Sequence, residues 1–196
     1  AVHMIDRLYR QTSEYSGSVA ICRSYDEIES ALVQGKTAAV LTIEGGEALQ
    51  GDIAALRIFF GLGVRSLCLT WNNRNEIACG VGSGFQDNGL TGFGKDVVRE
   101  MNSLGMLIDL SHISEKGFWD VMELTDSPVI ASHSNSRAVC RYARNLSDEQ
   151  IVCLSGNGGV MGINFCPEFL NESGNAAKKD IIRHIEHIAG LVGCGH

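Results

Sequence analysis

Five short apolar runs, at 37–43, 64–69, 105–112, 128–133 and 159–164, alternate with segments of helical spacing, and this alternation limits the fold more than any other feature of the chain. Strand-length runs separated by helices specify an α/β protein, because consecutive parallel strands can be joined only by a crossover. Two of the runs end in an imidazole: Ile108-Asp109-Leu110-Ser111-His112 and Ile130-Ala131-Ser132-His133. A third, 37–43, is almost wholly apolar, which suits a strand covered on both faces. It runs into Glu44-Gly45-Gly46-Glu47, a carboxylate followed by two glycines that permit close backbone approach. Alone, a histidine or glutamate at a strand end is more often a satisfied polar residue than a ligand. Repetition at corresponding places makes these three the candidates, because α/β proteins keep their chemistry where the strands run out.

The helix boundaries carry their own signals. Ser24-Tyr25-Asp26-Glu27 and Ser147-Asp148-Glu149-Gln150 have the form of capping boxes. They open helices at 25–34, with Ile28, Ala31 and Leu32 inward, and at 147–156. Further helices are expected at 52–62 (Ile53, Leu56 and Phe60 inward), 92–104, 114–124 and 176–192, the last with an apolar stripe of Ile181, Ile185, Ile188 and Val192. The first 24 residues show no clear strand, and 6–14 reads as the tail of a helix. His184 and His187 lie three apart on the last helix but lack a supporting carboxylate beyond Glu186, so they read as surface residues. From 70 to 91 the chain is rich in Gly and Asn without an apolar period, and a loop of that length in a compact domain is usually functional. Gly82-Ser83-Gly84 in that loop follows no strand and is not a nucleophile elbow.

The 196 residues read as a single domain, 1–196. No G-x-G-x-x-G or Walker lysine motif follows any strand, which argues against a nucleotide-binding doubly wound sheet. Polar groups at the ends of several strands favour a parallel (β/α) barrel of the TIM type, where every strand end faces one axis. A complete barrel has eight strands and about 250 residues, so about five strands make this an incomplete one, a central part with its first and last strands missing. A formal net charge of -7, with Lys178-Lys179 the only basic doublet, excludes nucleic acid as a partner. No segment approaches the roughly 20 apolar residues of a membrane-spanning helix. Seven cysteines without a C-x-x-C pair read as reduced thiols in a cytoplasmic protein.

Glu44, His112 and His133 offer what a zinc-type site requires, imidazole nitrogens and a carboxylate on rigid strands converging on one mouth. Zinc or a related ion brings the pKa of bound water to near 7 and so supplies a nucleophile without Ser or Cys. The segments Leu41-Thr42-Ile43-Glu44-Gly45-Gly46-Glu47, Gly89-Leu90-Thr91-Gly92-Phe93-Gly94, Ile108-Asp109-Leu110-Ser111-His112, Ile130-Ala131-Ser132-His133-Ser134 with Arg144-Asn145, and Val160-Met161-Gly162-Ile163-Asn164-Phe165 carry a resemblance. Together, and in this order, they resemble the membrane (renal) dipeptidase family, a zinc-dependent branch of the amidohydrolase-type barrels.

The resemblance implies that Glu44 bridges two zinc ions and is catalytic, and that His112 and His133 are ligands of one of them. A bridging hydroxide would attack the peptide bond of a dipeptide. Arg144 would grip the free carboxylate of that substrate, a task for which a guanidinium fork is well shaped. Asn164 and Trp71 are placed on the substrate side. Trp71 stands where renal members carry a histidine thought to stabilise the oxyanion, so it bears on transition-state stabilisation, on substrate choice or on packing at the barrel mouth. The resemblance further implies a His-x-Asp pair and a catalytic aspartate on strands outside these residues, so that the segment alone is inactive, and it is compatible with a homodimer. Two readings compete: a related metal hydrolase acting on a lactone, β-lactam or other amide, and a non-catalytic pseudoenzyme.

Overall fold

The computed structural model describes residues 1–83 and 86–195, so Gly84 of the Gly82-Ser83-Gly84 triplet and the terminal His196 lie outside the described residues. The chain runs α1 (Val2–Glu14), β1 (Val19–Ile21), α2 (Tyr25–Val33), β2 (Thr37–Ala39), β3 (Leu41–Glu44), a short 3-10 turn (Gly46–Leu49), α3 (Ile53–Gly61), β4 (Val64–Cys68), α4 (Gly92–Leu104), β5 (Leu107–Asp109), α5 (Glu115–Met122), β6 (Ile130–Ser134), α6 (Asp148–Gly156), β7 (Val160–Ile163), α7 (Pro167–Leu170) and α8 (Lys178–Val192). No helix among the described residues is long and apolar enough to cross a membrane.

Strands β3 to β7 form one parallel sheet in sequential order. A doubly wound sheet reverses its strand order at a switch point; uninterrupted sequential order is how a TIM-type barrel is built. The expected five-stranded sector of an α/β barrel is therefore the observed architecture. Register sorts the side chains into rows. Ile43, Leu67 and Ile108 are partners across β3, β4 and β5, and Leu67 and Ile108 are fully buried core residues. One residue further along, on the opposite face, the row is Glu44, Cys68 and Asp109, continuing to Ile130. Because successive side chains on a strand alternate faces, one face of the sheet is apolar and the other carries the polar groups. Leu56, Val97, Val98, Met101, Phe118, Val121, Ile151 and Leu154 cover the apolar face from the helices, each contributing about 1.5–3 kcal/mol of burial.

The apolar run at 37–43 is divided between two sheets. β2 pairs in parallel with β1 in a separate two-stranded sheet, and the chain passes through Val40 into β3. The expectation of one strand covered on both faces is thus corrected: in β3 Leu41 is buried while Thr42 and Glu44 are exposed. β1 escapes a reading of the sequence because Val19-Ala20-Ile21 is too short to show a period.

The helices start where side chains can satisfy free N–H groups. The Ser147 box is complete, with Gln150 returning the bond. At α2, Ser24 caps the helix, but the Glu27 carboxylate accepts from the Arg23 N–H and not from Ser24. Ala31 is the buried residue of α2 and Leu32 is exposed; in α3 the buried pair is Leu56 and Phe59, one position off the expected Phe60.

α8 departs furthest from its apolar pattern. Its buried residues are Asp180, His184 and Ile188, spaced by four, while Ile185 is exposed. His184 is no surface residue: its Nδ1 accepts the Ser136 N–H at 3.1 Å and its Nε2 donates to the Leu170 carbonyl at 3.2 Å. The Asp180 carboxylate accepts the Ala177 N–H and the Asn171 amide. Satisfied in this way, two polar groups can sit inward and rotate the helix away from the stripe that its isoleucines suggest. His187 pairs with Asp148 on α6 at 2.8 Å, so both histidines tie the helix to the loop and helix beside it.

Burial pushes the His184 imidazole below its ordinary value and keeps it neutral. Below about pH 6.5 the unfolded chain takes up a proton that the folded chain refuses, so this residue's linkage contribution to stability is lost as pH falls, at no more than about 1.4 kcal/mol per pH unit. Gln at this position can keep both hydrogen bonds. Urea melts between pH 7 and pH 5 should therefore show a shallower loss of stability for H184Q than for the wild type, and parallel curves would count against this assignment.

Candidate metal centre

Glu44, His112 and His133 come together at the rim where β3, β5 and β6 end. Glu44 is the last residue of β3. His133 lies within β6, which runs one residue further than expected, to Ser134. His112 lies outside any strand, since β5 stops at Asp109 and the chain turns through His112 with φ of 71°. The left-handed conformation costs a residue with a Cβ about 1–2 kcal/mol, and such strain collects at functional sites. Here the Gly- and Asn-rich segment overcomes it: the Val81 N–H donates to the His112 carbonyl at 2.9 Å, and the Ser114 N–H donates to the Cys79 carbonyl at 2.9 Å.

The three side chains meet through single atoms. Glu44 Oε1 is 3.0 Å from His112 Nε2 and 3.2 Å from His133 Nε2, and the two nitrogens are 2.9 Å apart. Their partners on the far side determine what these atoms are. His112 Nδ1 is 2.8 Å from Asn72 Oδ1, and an amide oxygen only accepts, so the proton is on Nδ1 and Nε2 carries a lone pair. His133 Nδ1 is 2.7 Å from Ser132 Oγ, whose own proton goes to Asp109 Oδ2. This ring too is protonated on Nδ1. With both rings in this Nδ1–H tautomer, three acceptors face one another with no hydrogen among them, an arrangement that a cation resolves. Donors about 2.1 Å from a tetrahedral zinc stand about 3.4 Å apart, close to the separations found here. Among the described residues this is the one group of three or more His, Cys, Asp or Glu side chains that could hold a metal.

The surroundings keep His112 uncharged and fixed. Burial, then the charge of Arg144 and the neighbouring His133, push His112 down to about 3, so its ring stays uncharged. The Trp71 ring lies over that of His112, with centroids 5.9 Å apart and planes 30° from parallel, while half of Trp71 remains exposed. Cys68, the register partner of Glu44, donates its thiol to the Ser111 carbonyl at 2.7 Å. Burial and the nearby Asp109 and Glu44 carboxylates raise its pKa far above the thiol range.

Arg144 lies beside the cluster, buried, with Nη2 donating to the His133 carbonyl at 3.1 Å and its guanidinium over the Phe169 ring. Its Nε is buried without a hydrogen-bond partner. Burial draws its pKa below the usual guanidinium range. Asn164 stands nearby, its amide nitrogen 3.5 Å from the same His133 carbonyl, but its Oδ1 accepts from the Cys166 N–H at 2.7 Å and so shapes the turn after β7. The sequence reading named Glu44, His112, His133, Arg144, Trp71 and Asn164, and all of them gather around this rim. It missed Asn72, Asp109 and Ser132, which orient the rings. Asp109 did leave a signal, because a carboxylate between Ile108 and Leu110 in a buried strand needs a partner.

A sequential parallel sheet with metal-ligating side chains on its C-terminal rim defines the α/β-barrel metalloproteins. The chain belongs to one family of these, the membrane dipeptidases (peptidase family M19), whose sequence model matches residues 1–196. M19 peptidases are metal-dependent. A protein encoded in the pqqA 5′ region of Klebsiella pneumoniae is 36% identical over 190 residues, covering 92% of this chain and 70% of that protein. An uncharacterized dipeptidase of Schizosaccharomyces pombe is 34% identical over 201 residues, covering all of this chain and 48% of the relative. Among solved structures, a metallopeptidase of Rhodobacter sphaeroides bound to a phosphinate mimic of the dipeptide L-Ala-D-Ala superposes with a TM-score of 0.92 at 34% identity, covering 98% of this chain and 57% of that one. An amidohydrolase of Pseudomonas aeruginosa gives a TM-score of 0.92 at 30% identity, covering 98% of this chain and 58% of that one. The chain thus spans little more than half the length of these solved relatives.

Gly80 lets the chain pass close against the backbone of Trp71 and Asn72. A Cβ on Gly80 would stand 2.2 Å from the Trp71 carbonyl oxygen and 2.5 Å from that of Asn72, both backbone atoms. The chain has two tryptophans, so in a W119F background the emission reports Trp71 alone. G80A should shift that emission and cost about 1–3 kcal/mol in urea melts, as overpacking does.

Proposed function

We propose that this chain forms the metal-holding and carboxylate-gripping part of a zinc-dependent dipeptidase, in which Glu44, His112 and His133 are metal ligands and Arg144 receives the substrate's free carboxylate. The observation that carries this reading is the meeting of two imidazole Nε2 atoms and a carboxylate oxygen within 3.2 Å of one another on the rim. Two imidazoles and a carboxylate suit zinc in charge and softness. A divalent ion there would acidify a water and polarise the carbonyl of the bond to be cut. Two ions would be the complement of the whole protein, and Glu44 would be both a ligand and the catalytic member of the set.

The remaining work falls to the chain itself. Asn72 and Ser132 each hold a ring proton on Nδ1, so Nε2 is the atom each imidazole offers for ligation. Trp71 covers one face of His112 and limits rotation of that ring. Arg144 is a cation already dehydrated and stacked on Phe169, with an unpaired buried N–H, so a carboxylate arriving there meets a donor that does not first have to shed water. Asn164 holds the turn that frames this position. A dipeptide carries a carboxylate close to its single peptide bond, which matches a carboxylate grip beside a metal rim. The dipeptide mimic bound by the Rhodobacter sphaeroides relative supports the same substrate class.

The test uses the full-length protein. Zinc titrated against a competing chelator should bind to the wild type and at least about 100-fold more weakly to H112A and H133A. With dipeptide as substrate, R144K should raise KM by about 10- to 100-fold with a smaller change in kcat, the loss of about 1.5–3 kcal/mol that a charged hydrogen bond supplies. A full-length protein that takes up no zinc would overturn the reading.

A further inference from the structure

We propose that Asp109, acting through Ser132, is a positioning residue that fixes the proton of His133 on Nδ1 and so keeps its Nε2 lone pair facing Glu44 and His112. The consequence for metal binding rests on the reading above; the proton position does not.

β5 and β6 are joined in register by a single pair, Asp109 and Ile130. Beyond it, side chains take over the work of the ladder. The Asp109 Oδ1 atom accepts the Ser111 N–H at 2.9 Å and the Ser132 N–H at 3.0 Å, and the Ser111 hydroxyl oxygen accepts the His133 N–H at 3.1 Å. With Oδ1 occupied by two backbone donors, Oδ2 is left to the Ser132 hydroxyl. That hydroxyl has one proton, and the carboxylate takes it. The oxygen can then only accept at His133 Nδ1, 2.7 Å away. The Ser111 and Ser132 N–H groups and the Ser132 hydroxyl all donate to Asp109, so the direction of the relay to His133 Nδ1 is set by one buried carboxylate.

An amide in place of the carboxylate would reverse it. The two backbone N–H groups hold the oxygen of an Asn at the Oδ1 position, which puts its NH2 group against Ser132 Oγ. Of the two acceptors then left to the hydroxyl, His133 Nδ1 at 2.7 Å is much nearer than Ser111 Oγ at 3.4 Å, so it donates to the ring, and the ring proton moves to Nε2. There it meets Glu44 Oε1, 3.2 Å away, and occupies the place of a cation. D109N is therefore nearly isosteric and should nonetheless exchange one tautomer for the other.

The experiment is a long-range 1H–15N correlation on metal-free, 15N-histidine-labelled full-length protein at about pH 8, above the ordinary imidazole range. His133 is assigned by comparison with H133Q. The wild type should show the Nδ1–H tautomer and D109N the Nε2–H tautomer, with zinc affinity about 10- to 100-fold lower in chelator competition, the usual effect of losing a ligand's supporting bond. S132T, which keeps a hydroxyl, should match the wild type in both measurements. S132A leaves both backbone bonds to Asp109 intact and should lose the tautomer preference, so it carries the test if D109N does not fold. Retention of Nδ1–H in D109N, or wild-type tautomer and affinity in S132A, would overturn the proposal. A wild type that shows the Nδ1–H tautomer yet binds no zinc would instead remove the metal reading and leave the relay standing.

Discussion

Three lone pairs pointed at one another are unstable without something positive between them, and the arrangement of this molecule follows from holding them there. Glu44 Oε1, His112 Nε2 and His133 Nε2 come from three different strands or their ends. Only a sheet whose strands all finish on the same side can deliver them together. Parallel sequential order supplies that, and the row Glu44, Cys68, Asp109, Ile130 shows how level the delivery is. The histidines stand three residues beyond this row on β5 and β6. One extends from within its strand. The other is reached only by a left-handed turn, held by the loop that crosses over it.

The polar interior of this protein divides by what its groups are satisfied by. His184 and Asp180 are buried on α8, and each has protein partners for its inward atoms. Their polarity is spent on structure. At the rim the outer nitrogen of each ring is satisfied in the same way, by Asn72 or Ser132, but the inner nitrogens are left to one another. Arg144 has the same character, a buried cation using one of its donors on a backbone carbonyl and keeping another unpaired. Unmet polarity gathered among ligand-type atoms in one place, unlike the satisfied pair on α8, separates a site from a core.

Most of this was legible in the sequence where period and punctuation coincide. The alternation of runs and helices gave the barrel class, and Glu44, His112 and His133 could be read as groups placed where strands end. The resemblance then supplied Arg144, Trp71 and Asn164. Features that depend on a partner far along the chain stayed hidden. Nothing in Val19-Ala20-Ile21 says that it pairs with Thr37-Ala38-Ala39, so the break at Val40 could not be seen. On α8 the apolar stripe of isoleucines points the wrong way, because the helix turns to satisfy Asp180 and His184. The role of Asp109 is hidden in the sequence because its partners, Ser111 and Ser132, are common residues whose part appears only once two strands lie side by side.

Cys68 adds a chemical consequence to the geometry. A thiolate is among the strongest ligands for soft ions, and this sulfur sits one strand away from Glu44, directly beneath the rim. Burial and two neighbouring carboxylates keep its proton on, and its hydrogen bond to the Ser111 carbonyl turns that proton away. The most covetous donor in the neighbourhood is thereby disarmed, and the rim is left with nitrogen and oxygen alone. The sulfur beside the rim is thus spent on holding the Ser111 carbonyl in place, next to the turn that brings His112 to the site.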